Sequence, residues 1–208
     1  MKKIVFATVP MKKDIEKRKY SVDGNALIES KEPIYYAVNP AVASKLTKED
    51  EVSVILLKTN GGEGAGEKNV ELFKEELNEV NNPIGAKIEY KTIQSDFDLS
   101  KLNFQDIFKK LIRELKDGAE IYADVTFGPK PLAFLLFSVM QFGEKFFDCS
   151  IGNIVYSKVE FEPNNIITPD SGKIYDITPL YLLNSLTSVM EFSSGEKAIQ
   201  AVDVLFEE

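Results

Sequence analysis

Two rhythms of apolar and polar positions alternate along this chain. Short, nearly unbroken apolar runs fall at Lys3–Val9 (KIVFATV), Glu51–Thr59 (EVSVILLKT) and Ile121–Val125. Runs of that length, rich in β-branched and aromatic residues, predict strands covered on both faces. Ala86–Ile93 (AKIEYKTI) alternates instead, as an edge or half-covered strand does. Ile151–Glu160 and Lys173–Ile177 are two further strand candidates, joined by a loop through Pro163 and Pro169. Helical spacing separates these runs. Val70, Phe73, Leu77 and Val80 form one stripe within Lys68–Val80, and Ile107, Leu111 and Leu115 another within Phe104–Leu115. Tyr35–Leu46 reads as a helix with Asn39 and Pro40 near its start, and Leu132–Gln141 is apolar on nearly every side, as a buried helix is. Thr178 and Pro179 fit the cap and first position of a helix running to about Phe192, and Ser193-Ser194-Gly195 separates it from a last helix at Glu196–Phe206. Strands alternating with helices predict an α/β fold, a mostly parallel sheet with helices on both faces. No repeat at solenoid spacing is present.

Composition narrows the chemistry. At 208 residues, 44% apolar and 28% charged, the chain suits one α/β domain with a small appendage. We expect residues 1–192 to form the domain and 193–208 a terminal helix. No apolar run approaches the ~18 residues that cross a bilayer, so no membrane partner is expected. The lone Cys149 excludes an internal disulfide, which fits a cytoplasmic setting. The absence of histidine excludes a Ser-His-Asp triad, a Cys-His dyad and a histidine-bearing zinc site, and no cofactor is expected. A net charge of −8 argues against duplex nucleic acid, which needs a broad basic face. A small phosphorylated ligand, held by a few lysines and backbone amides, stays open.

Two turns fall where such a ligand binds in open α/β sheets, past the carboxyl ends of strands. Gly128-Pro129-Lys130-Pro131 follows the Ile121–Val125 run and breaks regular structure before the next helix. A cation beside the free N–H groups of a helix start suits an anion, and flanking prolines stiffen it. A solvated turn lysine fits the same pattern. The second turn, Asn60-Gly61-Gly62-Glu63-Gly64-Ala65-Gly66, can bring backbone amides close to a ligand or can serve as a flexible connection. Neither turn matches a Walker A or a G-x-G-x-x-G motif. Met11–Ser30 has no clear period, reads as a loop or short excursion, and carries Lys12, Lys13, Lys17, Arg18 and Lys19, the most basic stretch of the chain.

Asp124-Val-Thr126-Phe-Gly128-Pro-Lys130-Pro-Leu132, with its apolar helix, resembles the D-x-T-x-G-x-K/R signature of CARF proteins, the CRISPR-associated Rossmann-fold sensors. Ile174-Tyr-Asp176-Ile-Thr178-Pro179 is similar to the second half of that domain, and Thr8 to the hydroxyl residue ending its first strand. The resemblance spans nearly the whole chain. It implies a Rossmann-like domain that dimerises and binds cyclic oligoadenylate, the messenger of type III CRISPR defence. Carried over residue by residue, it implies ligand contacts from Thr8, Thr126, Gly128 and Lys130, and we expect Phe127 and Pro129 of the same turn and Asn60 and Gly61 of the second to join them. Phe127 departs from the histidine or asparagine often found there. Beyond Phe192 there is room for a helix but not for an appended effector. Two functions follow as expectations. One is a sensor. The other is a metal-independent ring nuclease, in which the ribose 2′-OH attacks the neighbouring phosphate, Thr8 positions it and Lys130 stabilises charge. Tyr20, Tyr35, Tyr36 and Phe127 are candidates to stack on adenines.

Overall fold

The computed structural model describes residues 1–23, 25–59, 65–95, 100–164 and 166–206. The run Lys2–Thr8 forms β1, with every residue from Lys3 to Thr8 buried. It is paired in parallel on one side with β3 (Glu51–Thr59) and on the other with β5 (Glu120–Asp124). Apolar side chains on both faces place it in the middle of the sheet. β4 (Lys87–Ser95), the alternating run, pairs with β3 alone at one edge of the described sheet. Beyond β5 come β6 (Ser150–Lys158), then β7 (Lys173–Asp176) antiparallel to it, then the short β2 (Ser21–Asp23) parallel to β7. The order is β2-β7-β6-β5-β1-β3-β4. This is a Rossmann-like α/β sheet, as expected.

Helices cover both faces. Val5 and Ala7 of β1 join Val52, Val54 and Leu56 of β3 in a core with α1 (Val38–Ala43) and α2 (Ala65–Asn81), through Val38, Ala41, Phe73 and Leu77. The second face carries α3 (Lys101–Ile112) and α4 (Lys130–Phe147). There Gly143 of α4 lies so close to the sheet that a Cβ would sit 3.2 Å from Ile121 Cδ1. The chain divides into two compact units, 1–178 and 179–208. The second consists of the helices α5 (Thr178–Val189), which starts at the unit boundary, and α6 (Gly195–Phe206). No described helix is long and apolar enough to cross a membrane.

Three elements differ from the sequence pattern for identifiable reasons. α1 is only six residues, because the amides of Tyr35 and Tyr36 are taken by the Glu76 carboxylate (2.6 and 3.1 Å) rather than by a helical turn. α4 starts at Lys130, two residues earlier than its apolar stretch, since a proline in the first turn surrenders only an N–H that has no helical partner anyway. The segment after β1 is an excursion, as expected, but it crosses to the far edge, where its three-residue β2 pairs with β7. So short a strand leaves no periodicity to read.

Gly152 of β6 lies under the buried ring of Tyr122, where a Cβ would stand 2.7 Å from Cζ. Overpacking of this kind costs about 1–3 kcal/mol. Gly152→Ala should therefore lower the melting temperature by several degrees in a thermal scan. An unchanged midpoint would mean that the Tyr122 ring can swing aside.

Candidate functional site

The chain leaves β1 toward the α1/α2 face, builds β3 and β4 on one flank, and returns to β5 on the other flank of β1. β5 then feeds α4 on the opposite face. β1 and β5 are thus neighbours whose connections depart to opposite sides. The crevice outside the carboxyl ends of such a pair is where open α/β sheets bind ligands.

The turn after β5 is built from side-chain hydrogen bonds. Asp124, fully buried at the strand end, accepts from the Thr126 amide at Oδ1 (2.9 Å), the Asx turn that Asp adopts readily. The Thr126 hydroxyl accepts from the Ser157 amide of β6 (2.8 Å). Thr8 Oγ1, at the end of β1, accepts from the Phe127 amide (3.2 Å) and donates to the Asp124 carbonyl (3.3 Å). The turn is thereby tied to strands on both sides of β5. Gly128 follows at φ +80°, a left-handed conformation that strains any residue with a Cβ. The chain then enters α4 through Pro129, which carries no capping side chain. Pro129 and Pro131 have no N–H and the Leu132 amide donates to the Pro129 carbonyl (2.9 Å), so in this first turn only the Lys130 amide is left to meet an anion.

The expected residues separate into two groups here. Thr8 is buried, with its hydroxyl committed to the turn; it shapes the site from beneath. Phe127 is half-buried, its ring edge-on to Tyr36 at 5.8 Å. Gly128 and Lys130 are exposed, and Lys130, the first residue of α4, makes no ion pair among the described residues. Asn60 and Gly61 lie outside the described residues. Tyr36 is wholly buried, its hydroxyl donating to the Asn69 carbonyl (2.7 Å), so it cannot stack on a ligand. The later Asp176–Thr178 repeats the device of the β5 turn: Oδ1 accepts from the Thr178 amide (3.0 Å) and Thr178 Oγ1 from the Ile154 amide of β6 (2.9 Å). β7 runs opposite to β5, however, so this turn leads away from the crevice.

Tyr20, Tyr35 and Phe127 do meet. With Thr126, Ser157 and Phe161 they line a cavity of about 180 Å³ beside the turn, bordered by Lys12, Arg18 and Lys158. Burial raises the Tyr20 hydroxyl above its ordinary pKa. Helix α2 holds two of the cavity's walls. Asn69 Nδ2 donates to the carbonyls of Pro10 and Lys12 (both 2.9 Å), and Glu76 holds Tyr35. Sequence reasoning missed Ser157, Lys158 and Phe161. The last had a signal, an aromatic residue between two glutamates in a proline-bounded loop. No group of carboxylates and cysteine that could hold a metal ion occurs among the described residues. The chain matches no family model and no curated protein sequence.

Asp124 also gives the turn a pH dependence. Burial pushes its carboxyl up to about 6, against the pull of Thr126 and a weaker one from the Val38 amide. Among the described residues Oδ2 has no hydrogen-bond partner, so protonation there breaks no bond. The native state binds this proton more tightly than the unfolded chain, whose pKa is about 3.9. Stability from this group is therefore full below about pH 4 and is lost as pH rises through about 6, by on the order of 3 kcal/mol. Asp124→Asn should abolish that loss. Chemical denaturation from pH 4 to 7.5 should show the variant gaining on wild type by that amount, and a constant difference would refute the assignment. Thr8→Val, which strands the half-buried Phe127 amide and the Asp124 carbonyl, should cost about 1–3 kcal/mol in the same measurement.

Proposed function

We propose that the chain is a cyclic oligoadenylate sensor of the CARF type. The observation that carries this reading is the β5–α4 turn. It lies at the switch point of a Rossmann-like sheet, is tied to the end of β1 through Thr8, and leaves Gly128 and Lys130, each with its backbone amide, open to solvent. These are the groups that a phosphate diester needs: N–H donors and one cation. The D-x-T-x-G-x-K pattern agrees, since Asp and Thr build the turn while Gly and Lys face outward.

In this reading Thr8, Asp124 and Thr126 act through the turn, and Gly128, Pro129 and Lys130 meet the ligand. Two copies related by a dyad would offer equivalent turns to a symmetric ring, so the sensor is proposed to act as a homodimer. Catalysis would ask little of the protein, because the ring carries its own nucleophile in the ribose 2′-OH. Lys130 would then stabilise charge on the phosphate. The buried Thr8 hydroxyl could influence alignment only through the turn, so nothing in the geometry favours the ring-nuclease reading over the sensor.

Incubation with labelled cyclic tri-, tetra- and hexa-adenylate tests the proposal. Retention of one ring without cleavage is expected. No retention of any would end the reading, and a linear product formed in EDTA would convert it to a ring nuclease. Lys130→Ala should weaken ring binding by about 1.5–3 kcal/mol with no change in melting temperature, the loss expected for one charge-assisted hydrogen bond. Unchanged affinity would return Lys130 to the role of a solvated helix-start lysine. Light scattering should find a dimer at micromolar concentration, and a monomer with and without ring would remove the two-fold arrangement.

A further inference from the structure

The second compact unit consists of two short helices with almost no interior. α5 and α6 are 12 residues each. Helices of about that length are marginal in water and draw their stability from packing one face. Among the described side chains of α5 only Tyr181 is buried, and α6 buries none. Leu180, Leu182 and Leu183 of α5 and Ile199, Leu205 and Phe206 of α6 are each 44% to 64% exposed. A single exposed leucine needs no explanation, but a whole helical unit turned outward marks an interaction surface.

Charge decides what covers it. No residue from Thr178 to Met190 is charged, and the stretch from Glu191 to Phe206 carries Glu191, Glu196 and Asp203 against Lys197 alone. A lipid surface attracts amphipathic helices whose polar face is rich in lysine and arginine, and nucleic acid needs cations, so neither matches this unit. A second copy does. In a two-fold contact each residue near the axis meets its own counterpart, so a charge there repels itself. α5 brings none. Its hydroxyls are also provided for. Thr187 Oγ1 donates to the Leu183 carbonyl (2.9 Å) and Ser188 Oγ to the Asn184 carbonyl (3.0 Å), so burying them strands no donor. An apolar centre free of charge, with carboxylates only in the chain that follows, is the composition of an interface core and its rim.

We propose that a second copy of this chain covers this unit, with α5 packed against its own counterpart at a two-fold axis. The sensor reading asks that two turns face one ring and leaves open which surface joins the copies, so this inference rests on the helices and not on that reading. It requires a dimer that forms with no ring present.

Sedimentation of the full chain at micromolar concentration, without ligand, should find a dimer. Leu180 and Leu183 lie one helical turn apart and share one side of α5. The acidic variant Leu180→Glu/Leu183→Glu should weaken the dimer about a hundredfold, since it sets like charges across the axis. The basic variant Leu180→Lys/Leu183→Lys should be monomeric for the same reason. Mixed in equal amounts, the two should pair again, which chains unfolded by the substitutions would not do. Phe134→Glu, on the exposed side of α4, should leave the dimer intact. A monomeric wild type, a dimer that survives the acidic substitutions, a mixture that stays monomeric, or dissociation by Phe134→Glu overturns the proposal. Ring binding is scored separately with the labelled cyclic adenylates. A ligand-free dimer that retains no ring removes the sensor reading and leaves this interface standing, and a monomer that retains a ring does the reverse.

Discussion

One hydroxyl joins the centre of the sheet to the rim that carries the candidate site. Thr8 Oγ1 takes the Phe127 amide and gives its proton to the Asp124 carbonyl, so the last residue of β1 closes the turn after β5. At a strand end the ladder stops, and buried backbone groups must find other partners. Here they find side chains: Thr8, the Asp124 carboxylate and the Thr126 hydroxyl, each reaching a group the ladder leaves behind. The turn is consequently rigid where it meets the sheet and open where it meets solvent. That division lets Gly128 take its left-handed conformation and lets Lys130 begin a helix with its side chain unoccupied by any described partner.

The same economy recurs one layer out, in α2. Glu76 stands in for the missing first turn of α1 by accepting from the Tyr35 and Tyr36 amides and from Asn39 Nδ2 (2.8 Å). Two turns earlier on the helix, Asn69 pins the chain leaving β1 at Pro10 and Lys12. Both side chains are buried, and burial raises the Glu76 pKa despite those donors. A helix that anchors an aromatic wall with one residue and a basic wall with another sets the spacing between them. The aromatic cavity is thus defined by interactions that do not themselves face it.

How much of this could be read from the chain follows from where the determinants lie. The central strands and amphipathic helices were legible because burial writes a period into the sequence, as in KIVFATV or the stripe through Val70, Phe73 and Leu77. The turn was legible as a place, since glycine and proline mark it. Its internal logic was half visible: Asp-x-Thr announces an Asx turn, but that Thr126 would accept from Ser157 depends on which strand comes to lie beside β5. The antiparallel β7 was not legible, and that reversal removes the Asp176–Thr178 turn from the crevice although its local bonding matches that at Asp124. Equally hidden was Tyr36. Next to Tyr35 in sequence, it points into the core because Phe73 meets its ring edge-on at 4.7 Å. Adjacent residues with the same chemistry take opposite roles through packing alone.

The electrostatic pattern narrows what kind of anion this surface can hold. A long polyanion must cross several Debye lengths of protein surface, about 8 Å each at physiological salt, and on a chain of net charge −8 most of that path is repulsive. A compact anion meets only its immediate surroundings. Around the crevice those are Lys130 with its backbone amide and the cations of the β1 excursion. In the proposed reading the overall and local charge together favour a ligand with few phosphates held close together over a nucleic acid that needs an extended basic track. The aromatic walls add a second condition, because a bare phosphate gains nothing from them while a base gains a stacking surface. Small size, few phosphates and a flat ring together describe the nucleotide units of the proposed ligand.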